Sequence, residues 1–212
     1  MTAPVPTSAN LRTVVNDLMD AFATIPDDAW DRPAHGLDWD CRDTAAHLLD
    51  DFGAYALQLS GSTPPMNEYL RLDEGPPRRE GSLPMMFWPE PDGGSLLITE
   101  CVDALGGLLV AVTATAPSNR RGWHPSGLSD ASGFAAMGIV EGALHGWDIM
   151  TAQNADFSID QEIAARALNR LFPGVRRTAD PWDDLLAATG RTPQTRGQYW
   201  RWDSTVRDDY GL

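Results

Sequence analysis

Apolar residues recur at helical spacing in four separate stretches of this chain, and no alternating apolar and polar run is long enough to predict a sheet. The first stretch, Leu11, Val14, Val15, Leu18, Met19, Phe22 and Ala23, follows the i, i+3, i+4, i+7 stripe of an amphipathic helix. Thr7 and Ser8 are its candidate caps, and it ends before Pro26. A second helix is expected from about Cys41, where Asp40 offers an N-cap oxygen and Asp43 a negative charge in the first turn. Leu48, Phe52, Tyr55, Ala56 and Leu59 continue its apolar face. A third runs from about Leu96 to Thr115, although Gly106 and Gly107 each weaken it by about 1 kcal/mol relative to alanine. The fourth spans about Asp130 to Ala152, where Gly138, Gly142 and Gly146 form a small-residue ridge that lets a neighbouring helix approach closely. Four stripes that must bury against one another predict an all-α, four-helix bundle.

The connections are unequal. Residues 26–40 form a polar link with Trp30 and Trp39 as anchors. From Gly61 to Gly94 prolines and glycines interrupt regular structure repeatedly, so this stretch reads as a long crossover acting as a lid or binding loop. Within it, Met85-Met-Phe-Trp88 is apolar enough to pack down across a pocket, which makes Trp88 a candidate ligand-binding residue. Short helices are expected from Asp160 to Phe172 and from Trp182 to Thr189, followed by a polar end carrying Tyr199, Trp200, Arg201 and Trp202. A length of 212 residues fits one domain, with the bundle over residues 8–152 and the C-terminal helices and tail over 153–212.

The formal charge of −14 repels phosphate backbones and anionic lipid surfaces, so neither nucleic acid nor a membrane is an expected partner. Every basic residue is arginine, which excludes Schiff-base chemistry and a P-loop lysine. Cys41 and Cys101 form no metal-binding or redox pair and read as buried small apolar residues. The N-terminus has no basic and apolar signal pattern, and no uninterrupted apolar run approaches the roughly 20 residues of a membrane span. A reducing cytoplasm is the expected location, as monomer or homodimer.

Chemistry concentrates in Gly138-Ile-Val-Glu-Gly-Ala-Leu-His-Gly-Trp-Asp148. On a helix, the four-residue step places the Glu141 carboxylate and the His145 imidazole one turn apart on one face. His47, on the second helix, can supply a third ligand to the same ion. Two neutral imidazoles and a carboxylate suit a borderline divalent ion such as Zn2+ and leave a position open for water or substrate.

With Trp39, Asp43, His47, the Glu141/His145 step and Trp147-Asp148 in place, the chain resembles the DinB-like superfamily, and within it the mycothiol-dependent maleylpyruvate isomerase family of actinobacteria. The resemblance extends roughly from the first helix to Gly190-Arg191-Thr192-Pro193. It implies a DinB-like bundle with one long crossover, and His47, Glu141 and His145 as ligands of a divalent metal, usually zinc. It further implies a thiol-dependent S-transferase or isomerase in which mycothiol, a thiol on a glucosaminyl inositol, is the cosubstrate and its metal-bound thiolate attacks a small electrophile. The isomerase's additional basic domain, which would receive a dicarboxylate, has no clear equivalent here, so a different electrophile is implied. A bundle that binds small molecules without turnover, and a hydrolase using metal-activated water, are the alternatives.

Other residues carry two readings each. Asp148 either orients a ligand from behind or belongs to the helix surface. Arg191, Arg196 and Arg201 either meet an anionic group on a substrate or form salt bridges in a very acidic protein, the reading favoured here, and Arg201 is retained as a ligand-binding candidate. Trp200 and Trp202 either close a pocket or cover the end of the bundle. His35 and His124 lie in connections and are not expected among the metal ligands.

Overall fold

The computed structural model describes residues 4–73, 75–77 and 80–207, so the first three residues, three positions of the crossover and the last five residues lie outside it. Six α-helices are present among the described residues: α1 (Ser8–Phe22), α2 (Cys41–Ser60), α3 (Ser95–Thr115), α4 (Ala131–Ala152), α5 (Gln161–Leu171) and α6 (Pro181–Ala188). Their starts follow the capping chemistry in the sequence. The Thr7 hydroxyl accepts from the Asn10 amide, Asp40 from Asp43, Asp130 from Gly133, and Asp180 from Asp183.

α1 and α2 each pack against both α3 and α4, so these two sequence neighbours occupy opposite corners of an all-α, DinB-like bundle. The α2–α3 connection is the long crossover. By composition α3 is long and apolar enough to count as a candidate membrane span, but here it forms one wall of the bundle and buries Ile98, Val102 and Leu109. α5 packs on α4, and α6 on α5.

The glycine ridge of α4 receives α1. A Cβ at Gly146 would lie 2.7 Å from both Leu18 Cδ2 and the Phe157 ring, and one at Gly142 would lie 3.0 Å from Leu18 Cδ1. Close approach of α1 therefore depends on missing side chains. In Gly146→Ala, overpacking of about 2 kcal/mol outweighs a helix-propensity gain of about 1 kcal/mol. We expect a net loss near 1 kcal/mol, seen as a melting temperature about 3 °C lower; an unchanged or raised value would refute the packing argument.

The crossover is fastened to α2 at both ends. The Gln58 amide donates to the Pro65 and Glu68 carbonyls and accepts from the Leu70 N–H, while Asp50 Oδ1 accepts from the Met86 and Phe87 N–H groups. The Phe87 ring then lies so close to Gly53 that a Cβ there would meet it at 2.3 Å.

Candidate metal centre

One turn of α2 separates His47 from Asp51, and one turn of α4 separates Glu141 from His145. Helix packing brings the two pairs face to face. A nitrogen or oxygen from each of the four residues lies within 4.8 Å of the others. His47 Nε2 is 3.4 Å from Asp51 Oδ2, and His145 Nε2 is 3.2 Å from Glu141 Oε2. Two ligands on a tetrahedral ion with bonds of about 2.0–2.1 Å would stand about 3.3 Å apart, so the donor spacing fits a zinc-sized ion. Asp51 Oδ2 is shielded from solvent and has no hydrogen-bond partner, as suits an atom that awaits a cation.

Neighbours hold these side chains in place. Asp148 Oδ2 lies 3.3 Å from His145 Nδ1, on the ring face opposite Glu141, and Arg191 clamps the same carboxylate through Nε–Oδ1 at 2.9 Å and Nη2–Oδ2 at 2.6 Å. Both readings of these two residues thus meet: Asp148 stands behind His145, and Arg191 forms a salt bridge. The end of α6 makes that clamp reachable. Gly190 adopts φ 73°, and the Gly190 and Arg191 N–H groups bond back to the Ala187 and Leu186 carbonyls, a Schellman turn that directs Arg191 at α4. On the other side the Tyr55 hydroxyl donates to Glu141 Oε1 at 3.4 Å, and the Trp39 ring meets His47 edge-on at 5.0 Å.

Burial and charge set the protonation of the cluster. His47 is lowered to about 4, chiefly by burial and then by the charge of His145. Burial, reinforced by the Glu141 charge, pushes Asp51 well above the usual carboxylate range. Glu141 is buried too, but the imidazole of His145 outweighs that and holds it low. Burial also opposes charge on His145, yet the carboxylates of Asp148 and Glu141 raise it to about 9. At neutral pH His145 therefore holds a proton that a divalent ion must displace, and burial favours the neutral form of Asp51.

Metal uptake is accordingly expected to release at least the His145 proton, measurable by titration calorimetry in buffers of different ionisation enthalpy. Because the folded-state value of His145 is raised, its proton opposes metal throughout the range below about 9. Apparent affinity should climb about tenfold per pH unit for each displaced proton between about pH 6 and 8. A flat profile there would exclude His145 as a ligand.

His47, Glu141 and His145 sit on the floor of a cavity of about 570 Å³ whose walls include Trp39, Trp147, Arg196, Gln198 and Trp200. His35 also lines it, with its ring edge-on to Trp147 at 5.1 Å and Nε2 3.3 Å from Arg196 Nη2. Trp200 thus borders the cavity, whereas Trp202 is buried beside it. Neither Trp88 nor Arg201 is among the residues lining this cavity: Trp88 is half-buried in the crossover, and Arg201 is exposed beyond Trp200. His124 is buried and hydrogen-bonded locally. Its Nδ1 accepts from the Ser126 N–H, and its ring packs against Tyr55.

The sequence analysis did not single out Asp51 and gave His35 no role in the pocket. Asp51 follows His47 by the same four-residue step that marked Glu141 and His145. His35 had no local signal; its N–H bonds to the Asp148 carbonyl only because the 26–40 link folds back onto α4.

Fold and site together define a helical bundle with a histidine–carboxylate cluster built between its second and fourth helices. Residues 11–150 match the family model described as the mycothiol maleylpyruvate isomerase N-terminal domain. The chain belongs to that family. No protein of curated function and no solved structure matches it.

Proposed function

We propose that this protein is a cytoplasmic, metal-dependent S-transferase or isomerase that uses a small thiol, mycothiol, on a small electrophile. The observation that carries the reading is the placing of His47, Glu141 and His145 at the floor of the large cavity. These three residues would hold a divalent ion, zinc by the chemistry of the donors, with Asp51 beside them and a position left for the thiol. A divalent ion there lowers the pKa of a thiol brought to it, making the thiolate available at neutral pH.

The chain's own residues do the rest. Asp148, locked by Arg191, fixes the orientation of the His145 ring. The indoles of Trp39, Trp147 and Trp200 offer apolar faces to sugar and inositol rings, and Gln198, Arg196 and His35 offer hydrogen bonds to their hydroxyls. Mycothiol carries no carboxylate or phosphate, so the acidic protein does not repel it.

Cobalt-substituted protein provides the test. Addition of mycothiol is expected to produce a saturable sulfur-to-cobalt charge-transfer band in the near ultraviolet, absent with a desthiol analogue. Cobalt-loaded protein that shows no such band would overturn the thiol reading.

A further inference from the structure

The four donors of the cluster do not all face one cavity. His47, Glu141 and His145 line the large one, whereas Asp51 lines a second, smaller cavity of about 160 Å³ between α2 and the crossover. Asp51 is thus the wall shared by the cluster and this second space.

Its construction says what it can hold. Leu57, Leu70, Leu72 and Met86 supply apolar surface, and Tyr69 brings a phenol hydroxyl. Of the other polar side chains around it three are already engaged, and Asp51 faces the cluster. Asp50 Oδ1 accepts two crossover N–H groups, the Gln58 amide binds crossover backbone, and the Tyr55 hydroxyl donates to Glu141. Among the described residues that line it there is no lysine, arginine or histidine, so an anion entering beside Asp50 and Asp51 would meet no countercharge from them. The fastening of the crossover through Gln58 and Asp50 also means that this roof is formed in advance, so binding there carries little ordering cost. A cavity of roughly 150 Å³ is large enough for one six-membered ring.

We propose that this cavity is a second ligand subsite, for a small neutral molecule of about six to eight non-hydrogen atoms with one hydrogen-bonding oxygen. Under the thiol-transfer reading, on which this assignment of its occupant rests, it seats the electrophile. The thiol and the electrophile then reach the cluster from different sides, the thiol through the large cavity and the electrophile past Asp51. An anionic electrophile is excluded by the same walls.

Methyl NMR of the full chain labelled at methionine, with the Met86 signal assigned through Met86→Leu, tests this with three probes of about seven or eight non-hydrogen atoms. Cyclohexanone is expected to shift the Met86 methyl saturably, while cyclopentanecarboxylate leaves it in place and cyclohexylammonium binds no more tightly than the ketone. Ala54→Phe, which fills the cavity from α2, should weaken cyclohexanone at least about tenfold with the metal content unchanged. Leu70→Ala, at a half-exposed crossover position, should weaken it several-fold and guards against a folding defect in the first variant. No Met86 response to cyclohexanone, an equal response to the carboxylate, tighter binding of the ammonium probe, or undiminished binding in both variants would each overturn the proposal. The probes need neither metal nor thiol. Protein that binds cyclohexanone but gives no sulfur-to-cobalt band with mycothiol would retain the subsite while the S-transfer reading fell, and protein that gives the band without a Met86 response would do the reverse.

Discussion

Alanine at His145 is expected to remove the metal: elemental analysis should find about one divalent ion per chain in the freshly purified protein and almost none in His145→Ala or His47→Ala. Structural zinc sites bind with about 10–16 kcal/mol, so loss of one of four donors costs roughly 3 kcal/mol, or about a hundredfold or more in affinity. Full occupancy in either variant would remove that residue from the ligand set. Absence of metal from the native protein even after reconstitution would instead favour a bundle that binds small molecules without turnover.

The largest effect on stability is expected at Arg170, a fully buried arginine of α5. Its Nη2 reaches Asp130 Oδ1 and Ser129 Oγ at 3.2 Å and the Ser204 carbonyl at 2.9 Å, and its Nη1 reaches the Thr205 carbonyl at 3.2 Å. One side chain thus ties together the start of α4, α5 and the C-terminal segment. Arg170→Ala leaves the Asp130 carboxylate buried without its cation, a change that costs about 3–5 kcal/mol. Thermal unfolding should begin about 10 °C lower, and limited proteolysis should cut near residues 203–205 first, since their carbonyls lose their donor. A loss below about 1 kcal/mol would show that the network contributes packing alone. Asp130 also caps the helix bearing Glu141 and His145, so weaker metal binding should accompany the loss of stability.

Much of the bundle was legible because its signals are local. Caps lie within three residues of what they cap, and the stripe of α1 from Leu11 to Phe22 is buried as the spacing predicts. The Glu141/His145 step was legible for the same reason, since one helical turn is a property of a single segment. Trp88 and Arg201 show the opposite case. An apolar cluster in a long crossover, or a cation near the end of the chain, says nothing about which surface it will meet. Asp51 lies between these cases: its spacing from His47 was visible, but its burial was not.

By itself the sequence determined where the helices begin and end, which faces they bury, and that α2 and α4 each carry ligand-type residues one turn apart. Only the tertiary structure decided that these two faces meet, that Arg191 is directed onto Asp148 by the turn after α6, and that the cluster stands between two cavities of unequal size. The physical reason is range. Periodicity and capping act over three or four residues, whereas the pairing of His47 with His145, at 5.2 Å between rings, is fixed by how α1 and α2 pack against α3 and α4.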